Sequence, residues 1–190
     1  MIGQSAPTSD VARFAEQITG LARRVRELEL AAASGRGWVP IDSGSVSAVS
    51  SFSITVPSGC QDLRLRMKGH TSELANVTCR INNDTTSELH ERAFTVINPD
   101  GTIATSIGDL FDRWMLSRWG ARVGANSLEA TFFDVSSNSR VTCMSAGHRR
   151  NGDRSVGFGS LESARIVTSL RVFPNVGTVT ANWTLEGYRA

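Results

Sequence analysis

Val11, Phe14, Ile18, Leu21, Val25, Leu28 and Ala32 recur at alternating intervals of three and four residues, the spacing of a heptad seam along one face of an α-helix. Pro7 with Thr8 or Ser9 precedes the run, and Ser34, Gly35 and Gly37 close it, so start and stop signals bracket a helix over residues 11–33. Beyond residue 45 the period changes to two. Phe52, Ile54 and Val56 alternate with Ser53 and Thr55, Leu63, Leu65 and Met67 with Arg64, Arg66 and Lys68, and Val77, Cys79 and Ile81 with Thr78 and Arg80. Such alternation predicts strands with one face on a core. Further strands are expected over residues 91–97, 128–135, 140–146, 164–173 and 178–188, with turn chemistry at Asn98-Pro99-Asp100-Gly101, Ser137-Asn138 and Asn151-Gly152. Leu110, Phe111, Trp114 and Met115 share a helical face, which predicts a short helix over residues 108–118.

The fold class that follows is mainly β: an antiparallel β-sandwich or jelly-roll-like domain over residues 45–190, preceded by an N-terminal coiled-coil helix. Residues 1–10 read as an extended anchor and residues 34–44, SGRGWVPIDSG, as a linker or neck rich in Gly and Ser. A helix of three heptads is marginal alone, so its seam is expected to pair with other copies of the chain. In a parallel coil Arg24 takes a g position and Glu29 the following e position, which sets opposite charges across neighbouring helices. The β-branched residues Val11, Ile18 and Val25 at a favour two strands. Against that, Arg24-Val25-Arg26-Glu27-Leu28-Glu29 resembles the Arg-apolar-x-x-apolar-Glu trimerisation motif of short coiled coils, and the expectation adopted is a homotrimer.

Composition changes this picture little. With 40% apolar residues in a chain of 190, a sizeable core can form. The 20 basic and 18 acidic residues are mixed along the chain for a net charge of +2, so no nucleic-acid partner is implied. MIGQSAPTSD does not read as a signal peptide and no apolar run reaches the ~18 residues of a membrane helix, so synthesis in a cytoplasm and no membrane insertion are expected. Cys60, Cys79 and Cys143 lack zinc or redox spacing and read as small buried thiols.

Candidate chemistry is thin, and no enzyme, cofactor or metal is expected. Asp109, Asp112, Glu129 and Asp134 could in principle supply the two carboxylates of a glycan depolymerase. The closer reading of Asp109 and Asp112 is an acidic first turn that complements the helix dipole. His70, His90 and His148 share no ligand spacing, and there is no Gly-x-Ser-x-Gly elbow. Trp114, Arg118 and Trp119 combine flat apolar faces with charge and are the candidate interface residues, at a contact between protein chains or on a glycan; the alternative is that Trp114 and Phe111 cap the sandwich core. Arg149, Arg150 and Arg154 around Asn151-Gly152 read as a solvated hairpin tip.

DLRLRMKGHTSELANVTCRINNDTTSELHE, with Asn82, Asn83, Asp84 and the nearby His90, resembles a block found in tail-associated proteins of bacteriophages. The ending ARIVTSLRVFPNVGTVTANWTLEGYRA resembles the closing hairpin of the same minor tail and tail-fibre proteins. The likeness covers roughly residues 50–190 and is interrupted by residues 98–128 and by GHRRNGDR. It implies a structural virion protein of the tail tip, fibre or baseplate, with a β-sandwich head and no cofactor. The expected partners are further copies of the chain, other virion proteins through the N-terminal segment, and a host-surface glycan or protein. A capsid decoration or head-fibre protein is the alternative location, and a glycan depolymerase the alternative activity.

Overall fold

The computed structural model describes residues 37–85, 90–121, 126–136, 140–161 and 165–189, with the side chains of residues 90–92 and 107–111 left out. The expected anchor and heptad helix, residues 1–33, lie outside the described residues. Twelve strands follow in order: β1 Gly37–Val49, β2 Phe52–Thr55, β3 Asp62–Thr71, β4 Ala75–Ile81, β5 His90–Ile97, β6 Ile103–Phe111, β7 Trp114–Trp119, β8 Asn126–Phe133, β9 Thr142–Arg149, β10 Arg154–Leu161, β11 Ser169–Pro174 and β12 Val179–Arg189. They form an eight-stranded sheet, β1-β12-β3-β8-β9-β10-β5-β6, and a four-stranded sheet, β2-β11-β4-β7.

The chain crosses between sheets at β1 to β2, β2 to β3, β3 to β4, β4 to β5, β6 to β7, β7 to β8, β10 to β11 and β11 to β12. Without β5–β6 and β9–β10, two sheets of four remain, β1-β12-β3-β8 and β2-β11-β4-β7, in the connectivity of a jelly roll. The remaining strands are two antiparallel hairpins inserted between β4 and β7 and between β8 and β11. They extend one sheet beyond β8 and pair with each other, Val156 of β10 facing Thr95 of β5.

Alternating residues fill the space between the sheets. Leu63, Leu65 and Met67 of β3 and Leu128, Ala130 and Phe132 of β8 meet Val77, Cys79 and Ile81 of β4 and Leu170 and Val172 of β11, all buried. All eight strands expected from the sequence are present, and β1, β6, β7 and β10 come in addition. Residues 37–44 of the expected linker are the first part of β1, which pairs with β12. Ile41 and Val46 pack on the core from there. Gly44 keeps this edge close, because a Cβ there would stand 2.9 Å from the Trp183 indole.

The expected helix over residues 108–118 is corrected: it is the end of β6, a turn at Asp112-Arg113 and β7. A register shift opposite Val77/Thr78 skips Leu116 in the pairing of β7 with β4. Trp114, Leu116, Ser117 and Trp119 are consequently all buried. Two consecutive inward residues, Leu116 and Ser117, break the period of two at this bulge. Trp114 and Trp119 are therefore core residues, Trp114 packing 5.7 Å from the Phe132 ring, and the expectation that they form an exposed interface is corrected.

Across from β7 the inner faces of β9 and β10 carry Ser145 and Gly147, and Ser155, Gly157 and Gly159. A Cβ on Gly147 would stand 1.9 Å from Ser117 Oγ, and one on Gly157 2.6 Å from the Met115 carbonyl oxygen. The hydroxyls of Ser117 and Ser155 are 3.1 Å apart and share a hydrogen bond. Here the two sheets meet through small polar residues, whereas larger side chains separate them elsewhere.

Trp119→Ala should lower stability by about 3–5 kcal/mol, the cost of emptying a closed aromatic site, read by urea unfolding. Gly147→Ala should also destabilise, by about 1–3 kcal/mol through overpacking. All three thiols are free and buried, and burial pushes those of Cys79 and Cys143 well above the ordinary thiol range. A maleimide at pH 8 should therefore label Cys79 and Cys143 only when denaturant is present, as counted by intact mass.

Candidate binding face on the eight-stranded sheet

In register across the outer face, Thr184, Arg66, Glu129, Ala146, Val156 and Thr95 form one row, and Glu186, Arg64, Thr131, Met144, Phe158 and Ala93 the next. The jelly-roll half of this face is a charge lattice. Arg66 donates from Nε to Glu129 Oε2 at 2.8 Å and from Nη1 to Glu186 Oε1 at 3.2 Å. Arg64 Nη1 stands 3.5 Å from Glu186 Oε2, and its guanidinium lies 4.0 Å over the Trp38 ring. The Glu129 hydrogen bond raises the Arg66 pKa, so that guanidinium stays charged.

On the inserted half the polarity is reversed. Met144, Val156 and Phe158 point outward and are 52%, 52% and 53% exposed, with Ala146 exposed beside them. Their chain neighbours Ser145, Ser155 and Gly157 point inward. A strand with one face in the core normally buries its large apolar residues, as β5 does with Phe94 and Val96; along this stretch the β9–β10 hairpin buries the small ones and presents the large ones. A rigid apolar patch rimmed by charge is the usual mark of a contact surface.

One row further along the strands stand Asn182, Lys68, Ser127, His148 and Arg154. All but Asn182 line a groove of about 610 Å³, together with Arg66, Glu129, Ala146 and Val156. Arg154 belongs to this groove, whereas the neighbouring turn does form a hairpin tip: Gly152 N–H donates to the Arg149 carbonyl at 2.9 Å, and Arg149 pairs with Asp153 at 2.8 Å.

The other candidates are placed elsewhere. Arg118 of β7 is half-buried and lines a cleft of about 280 Å³ with Leu74, Phe94, Ala104 and Met115, and its backbone N–H donates to Ser155 Oγ at 3.4 Å. The seam residues Val11, Phe14, Ile18, Leu21, Arg24, Val25, Leu28 and Glu29 lie outside the described residues. Asp112 is tied to the guanidinium groups of Arg80 and Arg113, while Glu129 belongs to the opposite lattice, so this pair is not brought together. The side chain of Asp109 lies outside the described residues. Asp134 stands at the end of β8 with its N–H donating to Asp62 Oδ1 at 3.0 Å. Among the described residues no three His, Cys, Asp or Glu gather as a metal site.

Asn82 and Asn83 both adopt left-handed backbone conformations, φ 52° and 56°, which Asn tolerates better than other side chains. Asn82 Oδ1 accepts from the Thr168 and Ser169 N–H groups at 2.7 and 3.1 Å, and its Nδ2 donates to the Ile166 carbonyl at 2.7 Å. Asp84 pairs with Arg165. The Asn-Asn-Asp block thus ties the end of β4 to the segment entering β11. No protein family and no curated protein matches this chain.

Phe158→Ser should leave the melting temperature nearly unchanged, because that side chain is outside the core. A double-mutant cycle of Arg66→Ala and Glu129→Ala should give a coupling below about 1 kcal/mol that shrinks as salt is added, as expected of a half-exposed pair.

Proposed function

We propose that this chain is a non-enzymatic structural and attachment protein of a tailed bacteriophage. Three copies are joined by the heptad segment, and each presents its β-domain at the tail tip or fibre. The observation that carries the reading is the outward apolar patch of Met144, Val156 and Phe158 on the β9–β10 hairpin, which adds nothing to the jelly-roll connectivity. Such a face costs solubility unless it meets a partner, and a scaffold with inserted, outward-facing elements suits a protein whose work is contact. The heptad seam supports multiplicity, since copies joined at one end present several identical faces to a surface, and avidity then strengthens weak single contacts. The resemblance of residues 62–91 and 164–190 to phage tail-associated proteins supports the virion setting.

The purified chain should have three times the protomer mass by light scattering coupled to size exclusion, and Val25→Glu with Leu28→Glu should reduce it to one. A monomeric wild-type chain at micromolar concentration would contradict the trimer. Immunogold labelling that found the chain nowhere on purified particles would contradict the virion assignment.

A further inference from the structure

We propose that the groove between β3 and β10 is a binding site for an acidic glycan, a sugar chain bearing carboxylates; this rests on the attachment reading above and names the class of surface molecule engaged. Lys68, Ser127, His148 and Arg154 stand on four adjacent strands in one row. At about 4.8 Å per strand, Lys68 and His148 are about 10 Å apart, and Arg154 lies about 5 Å further on. Among the described residues neither Lys68 nor Arg154 makes an ion pair, in contrast to Arg64 and Arg66, whose charges are met by Glu129 and Glu186. Two uncommitted cations and an imidazole along one line match an elongated anion better than a compact one.

The rest of the lining selects among anions. Ser127 lines the groove with a hydroxyl suited to sugar hydroxyls. Ala146 and Val156 form an apolar floor, and the exposed Phe158 continues it two residues along β10. A pyranose ring has both an apolar C–H face and a polar rim, so it can rest on this floor while its carboxylate reaches Arg154 or Lys68. Arg154 can meet a carboxylate through two parallel hydrogen bonds. A single-stranded nucleic acid binds through aromatic faces that stack on its bases, and Phe158 is the one aromatic on this patch among the described residues. Arg66, held by two carboxylates, forms a fixed wall and leaves Lys68 and Arg154 to the ligand.

The test uses the full-length protein and a linear oligogalacturonate, with a neutral galactan oligomer of equal length as control, measured by calorimetry. The expected result is binding of the acidic oligomer alone, weakened by added salt. Lys68→Glu with Arg154→Glu should lower the affinity at least tenfold at an unchanged melting temperature, and Val156→Asp should lower it too. Equal affinity for the neutral oligomer, equal affinity for single-stranded DNA, or affinity unaffected by the double substitution would each overturn the assignment. Failure of the groove is separable from failure of the attachment reading. Immunogold labelling of particles by an antibody to this chain, together with normal host adsorption by phage carrying Lys68→Glu and Arg154→Glu, would overturn the groove alone. Binding by the purified chain, with no labelling of particles, would uphold the groove and overturn the virion setting.

Discussion

The close approach of β7 to β9 and β10 constrains much of the rest of this domain. Ser117 and Met115 occupy the space where any side chain at Gly147 or Gly157 would stand. The inner faces of the two central inserted strands must therefore be small. Any large side chain on this stretch of these strands is confined to the outer face. Met144, Val156 and Phe158 are exposed because the inside has no room for them, so the contact face follows from how tightly the sheets meet on the other side.

The same constraint fixes the asymmetry between the sheets. Four strands cover β12, β3, β8 and their neighbours with a thick apolar core, and β7 at their edge lies on the extension. Beyond it Ala104 and Ser106 of β6 are exposed on the inner side. The inserted hairpins thus extend a jelly roll whose core they enter through Cys143 and Leu161. Charge distribution follows suit. Glu129 and Glu186 neutralise Arg64 and Arg66 over the jelly-roll strands, and the cations at Lys68 and Arg154 are left where the lattice gives way to the patch.

Much of the jelly roll was legible in the alternation of Leu63, Leu65 and Met67 and of Val77, Cys79 and Ile81, because those strands bury one face and expose the other. The inserted strands were not, for three separate physical reasons. In β7 the bulge sets Leu116 and Ser117 side by side in the core, and period two is lost. In β10 the alternation is present, but Val156 and Phe158 are on the solvent side, with Gly157 and Gly159 beneath them. In β1 the sequence Gly-Trp-Val-Pro-Ile-Asp-Ser-Gly has the composition of a linker, yet an edge strand tolerates Pro and Gly. The row of Lys68, His148 and Arg154 could not be read at all, since its members are some 80 residues apart and meet only through the pairing of β3, β8, β9 and β10.

A division of labour between the two faces of one strand has a consequence for change. Along β10, Ser155, Gly157 and Leu161 are bound by the packing of β7 and the core, and substitution there disturbs the fold. Arg154, Val156 and Phe158 project away from every buried contact, so their replacement alters what the surface meets while the backbone ladder to β5 and β9 is kept. The fold is therefore indifferent to the chemistry of the groove and patch, and recognition can be retuned there without loss of the scaffold. Binding residues on rigid strands also lose little freedom on contact, which favours affinity from a small set of side chains.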